Sequence, residues 1–170
     1  MAEKDRGKYF TSESKFWSWL SSQLRKIWRD HPTRWDFIAK TRYSKRIGNR
    51  YLYFFKCAMC GEEFQQKHME IDHIKSCGTV KDPNYTLNMM NISVDDLQAL
   101  CKPCHGIKTY SDIQGIGLEE ARLEKRVIEF GKLKAADQRK VLEEHYEAST
   151  VAGNAEGRKQ QYREQISSHR

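Results

Sequence analysis

The sequence predicts an α+β protein, a small metal-clamped core between helical flanks, and three observations carry that expectation. Four of the five cysteines fall as two pairs, Cys57-x2-Cys60 and Cys101-x2-Cys104, with 40 residues between them. An aromatic, strand-prone run, YLYFFKC (51–57), leads into the first pair, and a short alternating run, EIDHI (70–74), lies between the pairs. Outside the pairs, apolar residues recur at helical spacing. A chain of 170 residues can bury one core with extensions. The expected division is a basic, aromatic helical arm over 1–50, the core over 51–112, a helical extension over 113–148 and a flexible tail over 149–170.

Phe16, Leu20, Leu24, Ile27 and Trp28 follow one helical stripe, and Pro32 pushes His31 out of helical geometry, so a first helix stops there. Thr33 followed by Asp36 resembles a capping box and predicts a second helix to about Ser44, before Gly48 and Asn49 turn the chain. YLYFFKC reads as a strand, and in CAMCGEEF a glycine directly after the second cysteine suits a metal knuckle at a hairpin tip. EIDHI reads as a short strand, whereas residues 75–93, with Gly78, Pro83 and several Asn, read as loop. Residues 101–110 open a helix. Leu118 to about Tyr146 is mostly helical, with Leu123, Val127 and Phe130 on one stripe and Gly131 weakening the middle by roughly 1 kcal/mol relative to Ala. Residues 149–170 hold too few large apolar residues to offset the entropy of ordering.

Charge is uneven. Residues 1–56 carry 14 Lys and Arg against 5 Asp and Glu, a net +9, while the remaining 16 basic and 18 acidic residues leave −2. The surplus sits in an arm that also holds all four tryptophans, where a polyanion would be met. The cations are Arg25, Lys26, Arg29, Arg34, Lys40, Arg42, Lys45, Arg46 and Arg50. Neutralising several phosphates with them gives salt-sensitive binding of low sequence preference; solvation of two helices is the competing reading. The tryptophans are expected in the core, not as stacking platforms. No apolar run approaches the roughly 18 residues of a membrane span and the N-terminus has no secretory signal, so a cytoplasmic protein without a membrane partner is expected.

In such a reducing compartment the cysteine pairs read as a metal site, with Cys77 a free thiol. Four thiolates from two local turns suit a tetrahedral structural Zn2+. Against this stand two chance pairs of buried cysteines, and His105 replacing one cysteine as a zinc ligand. With four thiolates sufficient, His105 is surplus to the zinc. If the clamp pins the knuckle to the helix after Cys101, Asp72 and His105 could form an oxygen and nitrogen half-site for Mg2+, Mn2+ or another divalent ion. His73, on the other side of the strand, would be left as a base or as an inert, hydrogen-bonded strand histidine. His31, His68, His145 and His169 have no partner motif.

CAMC (57–60), EIDHI (70–74), DLQALCKPCH (96–105) and the Lys108-Thr109 pair together resemble the zinc-containing HNH endonuclease family, particularly its small phage-encoded members. SSQLRKIWRDHPTR (21–34) resembles their N-terminal helix, and the resemblance covers about residues 16–110. It implies a ββα-metal, treble-clef-like core with one catalytic metal ion beside a four-cysteine zinc site. It further implies Asp72 and His105 as ligands of that ion, His73 as general base and Lys108 facing phosphate. The chain departs from the pattern at Asp96, where the family has Asn. Asn can donate and accept, Asp only accepts and adds charge, so either metal preference shifts or activity falls.

The expected function is therefore a metal-dependent DNA endonuclease, nicking or cutting double-stranded DNA and leaving 5′-phosphate and 3′-hydroxyl ends, as the resemblance implies. One active site cuts one strand; a homodimer would cut both. The phage resemblance points to phage DNA processing and leaves phage proteins open as partners. The competing expectation is a non-catalytic zinc-stabilised module that binds nucleic acid or protein, with Asp96 marking a decayed site.

Overall fold

The computed structural model describes residues 9–168. The first eight residues of the expected arm and the last two of the expected tail, His169 among them, lie outside the described residues. The chain divides into two compact units, one running through Lys102 and the other from Pro103.

The first unit opens with helix α1, Glu13–Arg29, capped by Ser12, whose Oγ accepts from the Lys15 amide at 3.3 Å. Leu24 is buried on its inner face, but Ile27, expected on the same stripe, is 57% exposed. Helix α2, Pro32–Thr41, starts as the proline predicts, since the first helical position needs no amide hydrogen. The expected capping box is absent: His31 is the N-cap, and the Thr33 hydroxyl donates to the Ile92 carbonyl at 3.4 Å. The helix also ends three residues early. Tyr43–Ile47 is a strand, β1, paired antiparallel with β2, Arg50–Lys56, through a two-residue turn with Gly48 at φ 60°. Pairing with a strong aromatic strand makes these residues a strand where the cap-like Thr33 and Asp36 pointed to helix.

Strand β3, Glu63–Gln65, takes the other edge of β2, making a sheet in the order β1-β2-β3. Strand β4, Met69–His73, pairs antiparallel with β5, Leu97–Cys101, a stretch to which the sequence reading assigned no element. Between them the expected loop contains helix α3, Tyr85–Met90, whose Met89 is buried. Phe37, Ile38, Phe55, Met69, Leu97, Ala99 and Leu100 are the other buried apolar residues that close this unit.

Helix α4, Lys102–Gln114, carries the chain into the second unit. The helix expected over 118–146 is two helices, α5, Leu118–Lys132, and α6, Ala135–Glu143, because Leu133 and Lys134 are extended. The expected flexible tail is corrected by helix α7, Ala155–Ser167, whose N-cap Asn154 accepts from the Gly157 amide at 2.6 Å. Tyr162 stacks on Phe130 with centroids 4.2 Å apart, Arg163 pairs with Glu124 at 3.0 Å, and Arg158 is buried. One aromatic ring and two guanidinium contacts hold this helix, none of which an apolar count detects. Phe130, Leu142 and Val151 form the buried cluster of this unit. No helix among the described residues is long and apolar enough to cross a membrane.

Candidate metal centre and active site

The knuckle begins where β2 ends. The Cys57 amide donates to the Glu62 carbonyl at 2.8 Å and the Gly61 amide to the Cys57 carbonyl at 3.0 Å, folding four residues into a tight turn. Gly61 sits at φ 75°, a left-handed conformation that glycine adopts without a Cβ clash. The Ala58 amide donates to the Ala99 carbonyl at 2.9 Å and the Cys101 amide to Cys57 Sγ at 3.4 Å, so the backbone of β5 is tied to the knuckle through one carbonyl and one thiol.

The ligand atoms of Cys57, Cys60, Cys101 and Cys104 all lie within 4.8 Å of one another. A tetrahedron with zinc–sulfur bonds near 2.3 Å places its sulfurs about 3.8 Å apart, so this cluster fits such an ion. Burial pushes the Cys57 thiol up, but the amides of Cys60, Cys101 and Met59 and the Cys60 thiol outweigh it and bring it down to about 7. A thiol so placed yields the thiolate that a metal needs. The four cysteines could therefore hold a metal ion such as zinc. They are the one group of three or more His, Cys, Asp or Glu among the described residues whose ligand atoms converge.

Strand β4 places Asp72 and His73 on opposite faces. Asp72 faces Gln98 of β5, whose Nε2 stands 3.5 Å from its Oδ2. His73 lies opposite the buried Leu97 and is itself 9% exposed. Its ring lies 4.5 Å from that of Trp28, and its Nε2 is 3.0 Å from the Met89 carbonyl. A carbonyl only accepts, so this bond places a hydrogen on Nε2 and leaves Nδ1 of the neutral ring as the basic nitrogen.

Asp96 closes the turn into β5. Its Oδ2 accepts from the Ser93 amide at 2.7 Å and the Ser93 hydroxyl at 2.8 Å, and its own carbonyl accepts from the Ile74 amide at 2.8 Å. The two Ser93 donors hold its carboxyl below the ordinary value, with a smaller contribution from His73. The residue after the histidine and the residue before Leu97 are thus joined through backbone, while the side chain caps a single 3-10 turn, Val94–Asp96.

His105 stands on the first turn of α4, directly after Cys104. Lys108, one turn on, is 9% exposed, and its Nζ bonds Asp112 at 2.6 Å. In the basic arm, Arg25, Lys26, Arg29, Lys40, Arg42, Arg46 and Arg50 are exposed. Arg34 instead donates to the Arg29 carbonyl at 3.1 Å, and Lys45 is paired with Glu63. Of the tryptophans expected in the core, Trp28 packs against His73, but Trp19 and Trp35 are 45% and 47% exposed.

Two features escaped the sequence reading, the Met89 carbonyl and the Trp28 ring that together fix His73. Neither had a detectable signal, because a backbone acceptor has no residue signature and Trp28 lies 45 positions upstream of its partner. In comparisons with known proteins, no family model, curated protein or solved structure matches the chain.

Proposed function

We propose that the protein is a metal-dependent DNA endonuclease of the HNH type that hydrolyses phosphodiester bonds with low sequence preference, serving phage DNA processing. The observation that carries this reading is His73: a buried imidazole anchored through Nε2 to Met89, with Nδ1 left as base, on the residue after Asp72 and on a strand whose other end pairs with Cys101 of the four-cysteine cluster. A histidine needed only for packing does not call for that combination, and an apolar residue would fill the space at lower cost.

Asp72 and His105 are the residues that would hold a catalytic Mg2+, Mn2+ or similar ion, one carboxylate and one imidazole in a donor set suited to an open divalent site. Such an ion, when bound, supplies positive charge for the phosphoryl and departing oxygens. The chain's own part is proton transfer and placement. Water attacks phosphorus in line, its proton passes to His73 Nδ1, the bond from phosphorus to the 3′ oxygen breaks, and that oxygen leaves as a 3′-hydroxyl after protonation by solvent. Met89 and Trp28 keep the ring from rotating. The exposed cations of α1, α2 and the β1–β2 hairpin meet phosphates without reading bases.

The test is conversion of supercoiled plasmid to nicked and linear forms with Mg2+, Mn2+, Ni2+ or EDTA. Wild type should cleave only with a divalent ion, and His73→Ala should lose at least about a hundredfold in rate with zinc content unchanged. Failure of folded, zinc-loaded wild type to cleave under any ion, with salt-sensitive DNA binding retained, would leave the non-catalytic zinc module.

A further inference from the structure

We propose that the outer end of the β1–β2 hairpin is a base-stacking platform for unpaired DNA, a site whose choice of nucleic acid rests on the nuclease reading. Residues two apart on a strand share a face, as do residues directly opposite in an antiparallel pair. Tyr51 and Tyr53 therefore stand on one face, opposite Arg46 and Ser44. Both rings are open, Tyr51 at 72% and Tyr53 at 49% exposure. Arg42, just before β1, lays its guanidinium 4.5 Å from the centroid of Tyr53.

The charge on the hairpin has one sign. Neither strand contains an acidic residue, and Glu63, which pairs with Lys45, lies opposite Lys56 and so on the other face. Aromatic rings interleaved with guanidinium groups bind a nucleic-acid strand by stacking on its bases and neutralising its phosphates, whatever the sequence. With no acidic residue from Arg42 to Lys56, the hairpin complements a polyanion.

Spacing selects the single strand. Side chains two residues apart on a strand stand about 7 Å apart, whereas successive nucleotides of a duplex strand are about 3.4 Å apart. Neighbouring bases of a duplex cannot meet both rings, and their faces are already stacked. A strand drawn out of the duplex can present two bases at the wider spacing. The substrate class this implies is DNA in which an unpaired stretch adjoins the duplex engaged by the basic helices.

The experiment is fluorescence anisotropy of a labelled twenty-nucleotide oligo-dT and of a labelled duplex of equal length, with zinc-loaded protein and no other divalent ion. Wild type should bind both. The double variant Tyr51→Ala/Tyr53→Ala should weaken oligo-dT binding at least about tenfold and duplex binding less than about threefold. Tyr51→Phe/Tyr53→Phe, which keeps both rings, should bind oligo-dT as wild type does. Zinc content and Tm matching wild type establish that the variants are folded. Unchanged oligo-dT binding in the alanine variant, or an equal loss in the phenylalanine variant, would overturn the platform. So would a change from dimer to monomer in sedimentation with DNA binding unaltered, which would make the face a contact between copies. Plasmid cleavage is read separately: no cleavage with tyrosine-dependent oligo-dT binding retains the platform and sinks the nuclease, and cleavage without that dependence does the reverse.

Discussion

Asp96 stands where the HNH pattern has Asn, and its side chain is occupied in closing a turn. Both Ser93 bonds end on one oxygen, Oδ2, which an amide oxygen can replace, and the link to Ile74 runs through the Asp96 carbonyl. Asp96→Asn is therefore expected to fold with unchanged zinc content, and its plasmid cleavage should stay within a few-fold of wild type. The acid limb should differ. The Ser93 donors keep the Asp96 carboxyl below its unfolded value of about 3.9. Its contribution to stability is then full above that value and lost as pH falls through the lower, folded one. Tryptophan emission followed from pH 7 to pH 2 should show a shallower acid transition in Asp96→Asn; thiolate protonation releases metal from both proteins alike, so the difference isolates this residue. At this scale the sequence displayed Cys57, Cys60, Cys101, Cys104, Asp72, His73 and His105, which sit in short local motifs. What orients His73 was hidden, because Met89 acts through its backbone and Trp28 is distant in sequence.

Elements of the first unit are held by backbone geometry around the knuckle, and Gly61 is its most constrained point. A side chain at φ 75° costs about 1–2 kcal/mol. Gly61→Ala should lower Tm and weaken zinc retention in a chelator competition, with an unchanged Tm showing that the turn relaxes freely. In the second unit a buried guanidinium joins α6 and α7. Arg158, 5% exposed, donates to Gln138 Oε1 at 2.7 Å and to the carbonyls of Ala152 and Gly153 at 3.2 and 2.6 Å. Arg158→Ala leaves the buried Gln138 and the part-buried carbonyls without that donor and should cost roughly 1–3 kcal/mol in urea unfolding. Plasmid cleavage by the variant should be unchanged below its melting temperature. Helices α1, α4 and α5 and strands β2 and β4 were legible because their period or composition is strong. Strand β1, helix α3 and helix α7 were not, because pairing, a buried methionine and a buried arginine decide them.

For the whole molecule, each unit has buried apolar residues of its own. The first has a modest apolar core and three of the four clustered cysteines, Cys104 belonging to the second, and a structural zinc ion, where bound, contributes folding free energy directly. The second has its own cluster of Phe130, Leu142 and Val151. All four tryptophans lie in the first unit, so their emission reports on it alone. Stripping zinc with excess chelator should shift tryptophan emission to the red while much of the helical circular dichroism of α5, α6 and α7 persists. Emission unchanged after complete zinc removal would show that the clamp is not needed for folding.

By itself the sequence determined which four cysteines could hold a metal ion and the basic character of the arm, because metal chemistry demands particular side chains at short spacings. Only the tertiary structure decided which nitrogen of His73 is anchored, how Asp96 is employed, that residues 43–47 pair as a strand, and that residues 155–167 form a helix. Each of these depends on a partner distant in sequence or on a backbone atom, and neither leaves a pattern in the order of side chains.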